Sequence, residues 1–267
     1  MASSTSTIRS MKPKPGARID PLHNLSRGLV GWYLFNEGAG SRLADISNTG
    51  AHGTLTDMDP ATDWIGSPLG GGLHFDGADD YVFFGSEAGD TAGLEMSVSF
   101  WLNLDSLPSN GSILGNSSAP VWKNGWGVTL SAAGTEMDFW VDDSSTNVAR
   151  SSALVTGVWT HWVGWWDGAT VKLFRDLELQ PTADTFSSSI TNPGNFEIGK
   201  VGGSTTELNG TLDDVRVYNR AITDSEMRQL YVTPYANILT PSKYLDIAAP
   251  AERVFTTTLE NRTFTVL

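Results

Sequence analysis

Leu94-Glu95-Met96-Ser97-Val98-Ser99-Phe100-Trp101-Leu102-Asn103-Leu104 alternates apolar and polar side chains almost without a break. Period two places Leu94, Met96, Val98, Phe100, Leu102 and Leu104 on one face and Glu95, Ser97, Ser99 and Asn103 on the other. That is the pattern of an antiparallel strand with one buried and one wet face. Shorter strands are predicted at Tyr81 to Phe84, Gly127 to Leu130, Met137 to Val141, Thr160 to Trp166, Val171 to Arg175, Phe196 to Ile198 and Leu212 to Tyr218. Upstream, Leu29, Gly31, Tyr33 and Phe35 oppose Val30, Trp32 and Leu34, a strand apolar on both faces and so covered on both. Trp166-Asp167-Gly168-Ala169 carries the Asp-Gly pair of a tight hairpin. Many short strands with glycine-rich turns imply an all-β, two-sheet antiparallel sandwich.

One helix interrupts this pattern. Thr223-Asp224-Ser225-Glu226 is a capping box, Ile222 is placed to staple onto Met227, and Thr233-Pro234 stops the helix after about Tyr231.

The chain has 267 residues, ample for one sandwich, with 28 Gly, 10 Trp and no Cys. Disulfides and thiolate metal sites are therefore excluded. Residues 1–10 are polar and lack the apolar core of a secretion signal, and no apolar run is long enough to span a membrane. The expectation is a protein made in the cytoplasm without a signal peptide. Net charge is −13, distributed unevenly: Arg9, Lys12, Lys14, Arg18 and Arg27 stand against Asp20 alone in residues 1–27, so the acidity lies in the remainder. A body that acidic repels nucleic acid and anionic membranes, and neither is expected as a partner.

Three units follow: an extended basic N-terminal arm (1–27), the sandwich (28–231), and an extended C-terminal arm (232–267). In the last, Arg253 to Leu259 and Thr263 to Leu267 read as a β-hairpin. Two isolated strands are marginal alone and want a sheet to join. Lys12, Lys14, Arg18, Val254, Phe255 and Phe264 are the expected assembly contacts.

Three segments carry a family likeness. They are Gly28-Leu29-Val30-Gly31-Trp32-Tyr33-Leu34-Phe35-Asn36-Glu37-Gly38; then Val158-Trp159-Thr160-His161-Trp162-Val163 through Asp167-Gly168 to Val171-Lys172-Leu173-Phe174; and Gly210-Thr211-Leu212-Asp213-Asp214-Val215-Arg216-Val217-Tyr218-Asn219-Arg220-Ala221. In this order they resemble the laminin-G-like, concanavalin A-like lectin/glucanase jelly rolls over roughly residues 28 to 231. Asn24-Leu25-Ser26-Arg27-Gly28-Leu29-Val30-Gly31 is similar to the opening of jelly rolls encoded by tailed bacteriophages. One departure stands out: Asp176-Leu177 occupies a turn where the family has Asp-Gly.

The resemblance implies tests for chemistry. Related glycosidases carry a Glu-x-Asp-x-(x)-Glu strand whose carboxylates act as nucleophile and acid/base. Here Glu136-Met137-Asp138 opens that motif, but Trp140 and Val141 stand where the second Glu belongs. The four His are scattered, and His161, between Trp159 and Val163, reads as a packed core residue. No catalytic residue is assigned and the chain is expected not to be an enzyme. The family likeness implies calcium at Asp80 and Asp213, with Glu37 as a further ligand; no other cofactor is expected. Trp122, Trp126 and Trp140 are candidates for a sugar-stacking platform.

Two functions fit these expectations. The first is a structural or interaction protein of a phage virion, in capsid decoration or as tail adhesin, assembling through its arms with copies of itself or other virion proteins. The alternative is a lectin-like module, calcium-assisted, that binds cell-surface glycans.

Overall fold

The structure is a computed structural model that describes residues 12–14, 16–86, 88, 91, 93, 95–118, 123–142, 148–190, 194–202, 204–239, 255–259 and 262–266. In chain order the strands begin with β1 (Leu29–Tyr33), β2 (Arg42–Leu43), β3 (Gly53–Thr56), β4 (Trp64–Ser67), β5 (Gly70–Asp76), β6 (Tyr81–Gly85) and β7 (Met96–Leu104). They continue with β8 (Ser112–Ser118), β9 (Lys123–Leu130), β10 (Met137–Asp142), β11 (Val148–Arg150), β12 (Thr160–Trp166) and β13 (Thr170–Arg175). After β14 (Glu178–Leu179), β15 (Asp184–Thr185), β16 (Asn195–Ile198) and β17 (Asn209–Tyr218) come helix α1 (Asp224–Val232), β18 (Phe255–Leu259) and β19 (Arg262–Val266).

Two antiparallel sheets form the expected sandwich. One runs β14-β13-β12-β7-β17-β5-β4, with β1 on β17 and β15 on β13; the other runs β11-β10-β9-β8-β16-β6-β3-β2. Between them lies the main core, to which β7 contributes Met96, Val98, Phe100, Leu102 and Leu104, as its alternation requires. Trp162 and Trp166 enter the same core from β12. Between them Gly164 gives the opposite sheet room to approach. A Cβ there would stand 2.5 Å from a ring carbon of Phe139 on β10. Gly164→Ala is therefore expected to overpack the sheet interface and cost about 1–3 kcal/mol, read as a lower denaturant midpoint.

The polar face of β7 is not wet. Ser97 and Ser99 are buried, because a second apolar layer covers that face. Leu25, Leu29, Trp32 and Leu34 join Val163, Tyr218, Ile222, Met227, Leu230 and Tyr235 there. Helix α1 supplies part of the cover, fixed by the capping box between Thr223 and Glu226. Each serine is satisfied locally, Ser97 by the Arg220 carbonyl and Ser99 by His161.

The same layer corrects the view of the termini as free arms. The Asp20 amide donates to the Asn237 carbonyl and the Leu239 amide to the Arg18 carbonyl, with an antiparallel bridge between Ile19 and Ile238. The described part of residues 12–27 and residues 233–239 thus close over the sandwich together, and the boundaries at 28 and 231 fall inside one packed body. Of the expected assembly residues, Lys12 is drawn into the body, whereas Lys14 and Arg18 are exposed. Val254 lies outside the described residues. Phe255 and Phe264 belong to the β18–β19 hairpin, which pairs only with itself among the described residues.

Candidate functional site

The closing signature Asp213-Asp214-Val215-Arg216 builds a clamp. Register slips between Asp213 and Arg216 where β17 pairs β7, and Asp214 takes φ 46°, a left-handed conformation that Asp tolerates better than most residues. The bulge sets Asp214 against the fully buried Arg216, 3.0 Å away. Arg216 stacks on Trp32 with its guanidinium 3.9 Å from the ring centroid. Trp32 Nε1 donates to Asp214 at 2.7 Å, and Arg216 also donates to the Pro234 carbonyl. The motif fastens β1, β17 and the C-terminal segment to one another. Nearby, His161 is sealed in against Ser99 at 2.8 Å and the rings of Trp101 and Tyr231. Burial, with Arg216 adding repulsion, pushes its pKa down to about 3. A neutral packed histidine is what its position on β12 implied.

The structure does not bring Asp80, Asp213 and Glu37 together. Asp213 Oδ2 accepts from the Ser67 hydroxyl and Oδ1 meets the Lys12 ammonium. Glu37 accepts from the Ala44 amide at 2.8 Å. Asp80 caps its own turn, accepting from the Asp76 amide at 3.0 Å. It does stand beside Asp76 and Asp79, one ligand oxygen from each lying within 4.8 Å of the others. Burial and the neighbouring carboxylates raise the Asp80 pKa to about 6, against the Asp76 amide hydrogen bond. The calcium set is thus corrected: Glu37 and Asp213 have other partners, and only Asp80 sits among carboxylates.

The proposed sugar platform is corrected as well. Trp126 points into the main core. Trp140 is 4% exposed and lies over Gly127, where an added Cβ would come within 2.5 Å of its ring. Trp122 lies outside the described residues. At the strand that opens the glycosidase-like motif, Arg150 grips Asp138 at 2.6 and 2.7 Å and lies 3.8 Å from Glu136.

A cleft of about 440 Å³ opens instead at the turn where the sequence leaves the family pattern. Asp176 and Leu177 hold φ 51° and 72°, a strained conformation for a leucine. Asp176 Oδ1 pins the turn by accepting from the His161 amide at 3.0 Å. Arg175, Asp176 and Glu178 line the cleft together with the apolar Leu154, Val155 and Val158 and with Thr160 and Trp162. Val155 is 67% and Val158 49% exposed. Arg175 lies 5.6 Å over Trp162 and donates to Ser152 and to the Ala153 carbonyl. Apolar surface beside carboxylates and a guanidinium suits a ligand with both C–H faces and hydroxyls. Val158, Thr160 and Trp162 stood out in the sequence as part of the family motif and Asp176-Leu177 as a departure from it, but none of them as part of a binding site.

The family model for the concanavalin A-like lectin/glucanases superfamily matches residues 76–228, more than half the chain. The chain belongs to this superfamily. No curated protein sequence matches it. Among solved structures it is similar to domain 4 of AbnA, a GH43 extracellular arabinanase from Geobacillus stearothermophilus, in complex with arabinotriose. Identity is 20% and TM-score 0.59, covering 76% of this chain and 98% of that one. It is also similar to Trypanosoma rangeli sialidase in complex with sialic acid, at 15% identity and TM-score 0.59 over 78% of this chain and 33% of that one. The binding domain of Paraclostridial Mosquitocidal Protein 1 matches at 13% identity and TM-score 0.56, covering 79% of this chain and 53% of that chain. This concanavalin A-like chain thus spans about a third of the sialidase.

These neighbours correct the expectation that the chain is not an enzyme. A sialidase and an arabinanase domain place the sandwich within glycosidase polypeptides, so one incomplete strand motif does not set it apart from enzymes. At such identities the likeness carries the fold and no activity. No helix among the described residues is long and apolar enough to cross a membrane.

Proposed function

We propose that this chain binds glycan, and that the ligand lies in the cleft between Val155, Val158 and the Arg175–Glu178 turn. The observation that carries the proposal is the composition of that cleft: apolar side chains line it together with a guanidinium and two carboxylates. The arabinanase domain, nearly all of which this chain covers, supports it through its arabinotriose complex. Sugars offer C–H faces to apolar side chains and hydroxyls to charged ones, which this lining answers.

Asp176 and Glu178 outnumber Arg175, and the chain is acidic overall. Neutral oligosaccharides are therefore expected to bind more tightly than sialylated ones, because an acidic sugar meets net repulsion, most at low salt. Titration calorimetry with arabinotriose and sialyllactose checks the order. Arg175→Ala and Asp176→Ala are each expected to weaken arabinotriose binding roughly tenfold, the loss of about one charge-assisted hydrogen bond. Unchanged affinity in both variants excludes the cleft. Calcium enters this proposal only through Asp76, Asp79 and Asp80: the same titration in calcium and in chelator, repeated on Asp80→Asn, reads its contribution.

A second reading, assembly with further copies, rests on the β18–β19 hairpin. Its register pairs Phe255 with Val266, Thr257 with Phe264, and the threonines at 256 and 258 with those at 265 and 263. The virion placement drawn from the phage likeness belongs with this reading. Light scattering of the full chain and of a chain ending at residue 239 tests it: a defined oligomer lost on truncation supports assembly, and equal monomer masses exclude self-association through the hairpin.

A further inference from the structure

A buried carboxylate must be paired or protonated. Asp213 is completely buried on β17, and its partner comes from the far end of the chain. Lys12 reaches in with a side chain only 6% exposed. Its ammonium touches the Asp213 carboxylate and the Gly71 carbonyl and donates to the Phe35 carbonyl at 3.3 Å. An ammonium has three protons to donate and no lone pair, and three protein oxygens meet it.

The cage is built for this contact. Gly71 lets the Phe35 carbonyl approach, since a Cβ there would stand 2.6 Å from that oxygen, and Phe35 itself holds φ 53°. Ser67 orients the far oxygen of Asp213. Asn36 Nδ2 donates to the Pro13 carbonyl at 2.8 Å, tying down the residue after Lys12. One carboxylate and two main-chain carbonyls are also hard oxygen ligands of the kind that hold calcium. The calcium implied at Asp213 by the family resemblance does not fit beside the ammonium.

We propose that Lys12 is the resident cation of this oxygen cage, carried on the N-terminal segment in place of a metal ion. Occupancy of the cage is thereby tied to docking of residues 12–14 and is independent of metal concentration. The cage keeps its capacity for an inorganic cation, which emerges when the ammonium is taken away.

The test is thermal unfolding of the full chain as wild type, Lys12→Gln, Asp213→Asn and the double variant, each in chelator, in calcium and in magnesium. Lys12→Gln is expected to lower Tm by roughly 5 °C or more in chelator, and calcium is expected to restore much of that loss. The double variant is expected to lose the calcium response, and any response it shares with wild type belongs to Asp76, Asp79 and Asp80. If Lys12→Gln does not fold in chelator, refolding yield replaces Tm, with recovery expected in calcium alone. An unchanged Tm for Lys12→Gln, or a calcium response no larger than that of the double variant, overturns the proposal.

Discussion

Arg216→Ala is expected to destabilise the chain by about 3–5 kcal/mol, the cost of leaving the partner of a buried ion pair uncompensated. Asp214 is 3% exposed and loses its guanidinium, Trp32 loses the cation on its ring face, and the Pro234 carbonyl loses its donor. The damage reaches three segments of the fold, so urea unfolding should show an earlier midpoint with β1 and the residues after α1 loosened together. The pair Asp214→Asn with Arg216→Met separates charge from packing. It removes both charges while Asn still tolerates the left-handed conformation at φ 46°. Recovery of a large part of the loss in the double variant is expected, because the stranded charge is the costly element. A loss below about 1 kcal/mol for Arg216→Ala would mean that the clamp contributes little.

The second large effect concerns acid. His161 has its pKa pushed down to about 3 by burial and by Arg216, against about 6.5 in an unfolded chain. Over that interval the unfolded chain binds a proton that the native one refuses. Stability from this residue is therefore intact above about pH 6.5 and is lost as pH falls toward 3, by about 1.4 kcal/mol per pH unit at the steepest. His161→Gln keeps a group able to bond Ser99 and does not titrate. The difference in unfolding free energy between wild type and His161→Gln should be flat above pH 7 and slope downward below pH 6. A flat difference throughout would show that His161 takes up its proton in the folded state.

Most of the sandwich was legible in the sequence. β12 runs from Thr160 to Trp166 as its pattern indicates, and the capping box places α1. Strands β2 to β5 and β8 escaped because Gly70-Gly71-Gly72 and Ser112-Ile113-Leu114-Gly115-Asn116-Ser117-Ser118 lack clean alternation. Their positions are set by neighbouring strands. Ser97 and Ser99 misled for the opposite reason: alternation reports which residues share a face, and says nothing of what a distant segment lays over it. Lys12 looked like a free charge because its partner Asp213 is near in space and far in sequence. Trp126 and Trp140 show the ambiguity of tryptophan, as ready to fill a core as to meet a sugar. The cleft was the least legible feature, since it joins residues 154–162 to a turn whose importance lies in the backbone conformation of Asp176 and Leu177.

The most direct test of glycan binding in the cleft is to follow amide chemical shifts of the full chain while arabinotriose is added. Saturable shifts confined to residues 153–162 and 175–178 are the expected result. Shifts confined to the outer face of the β8–β9–β10 sheet would place a ligand elsewhere, and no shifts with either arabinotriose or sialyllactose would contradict the proposal.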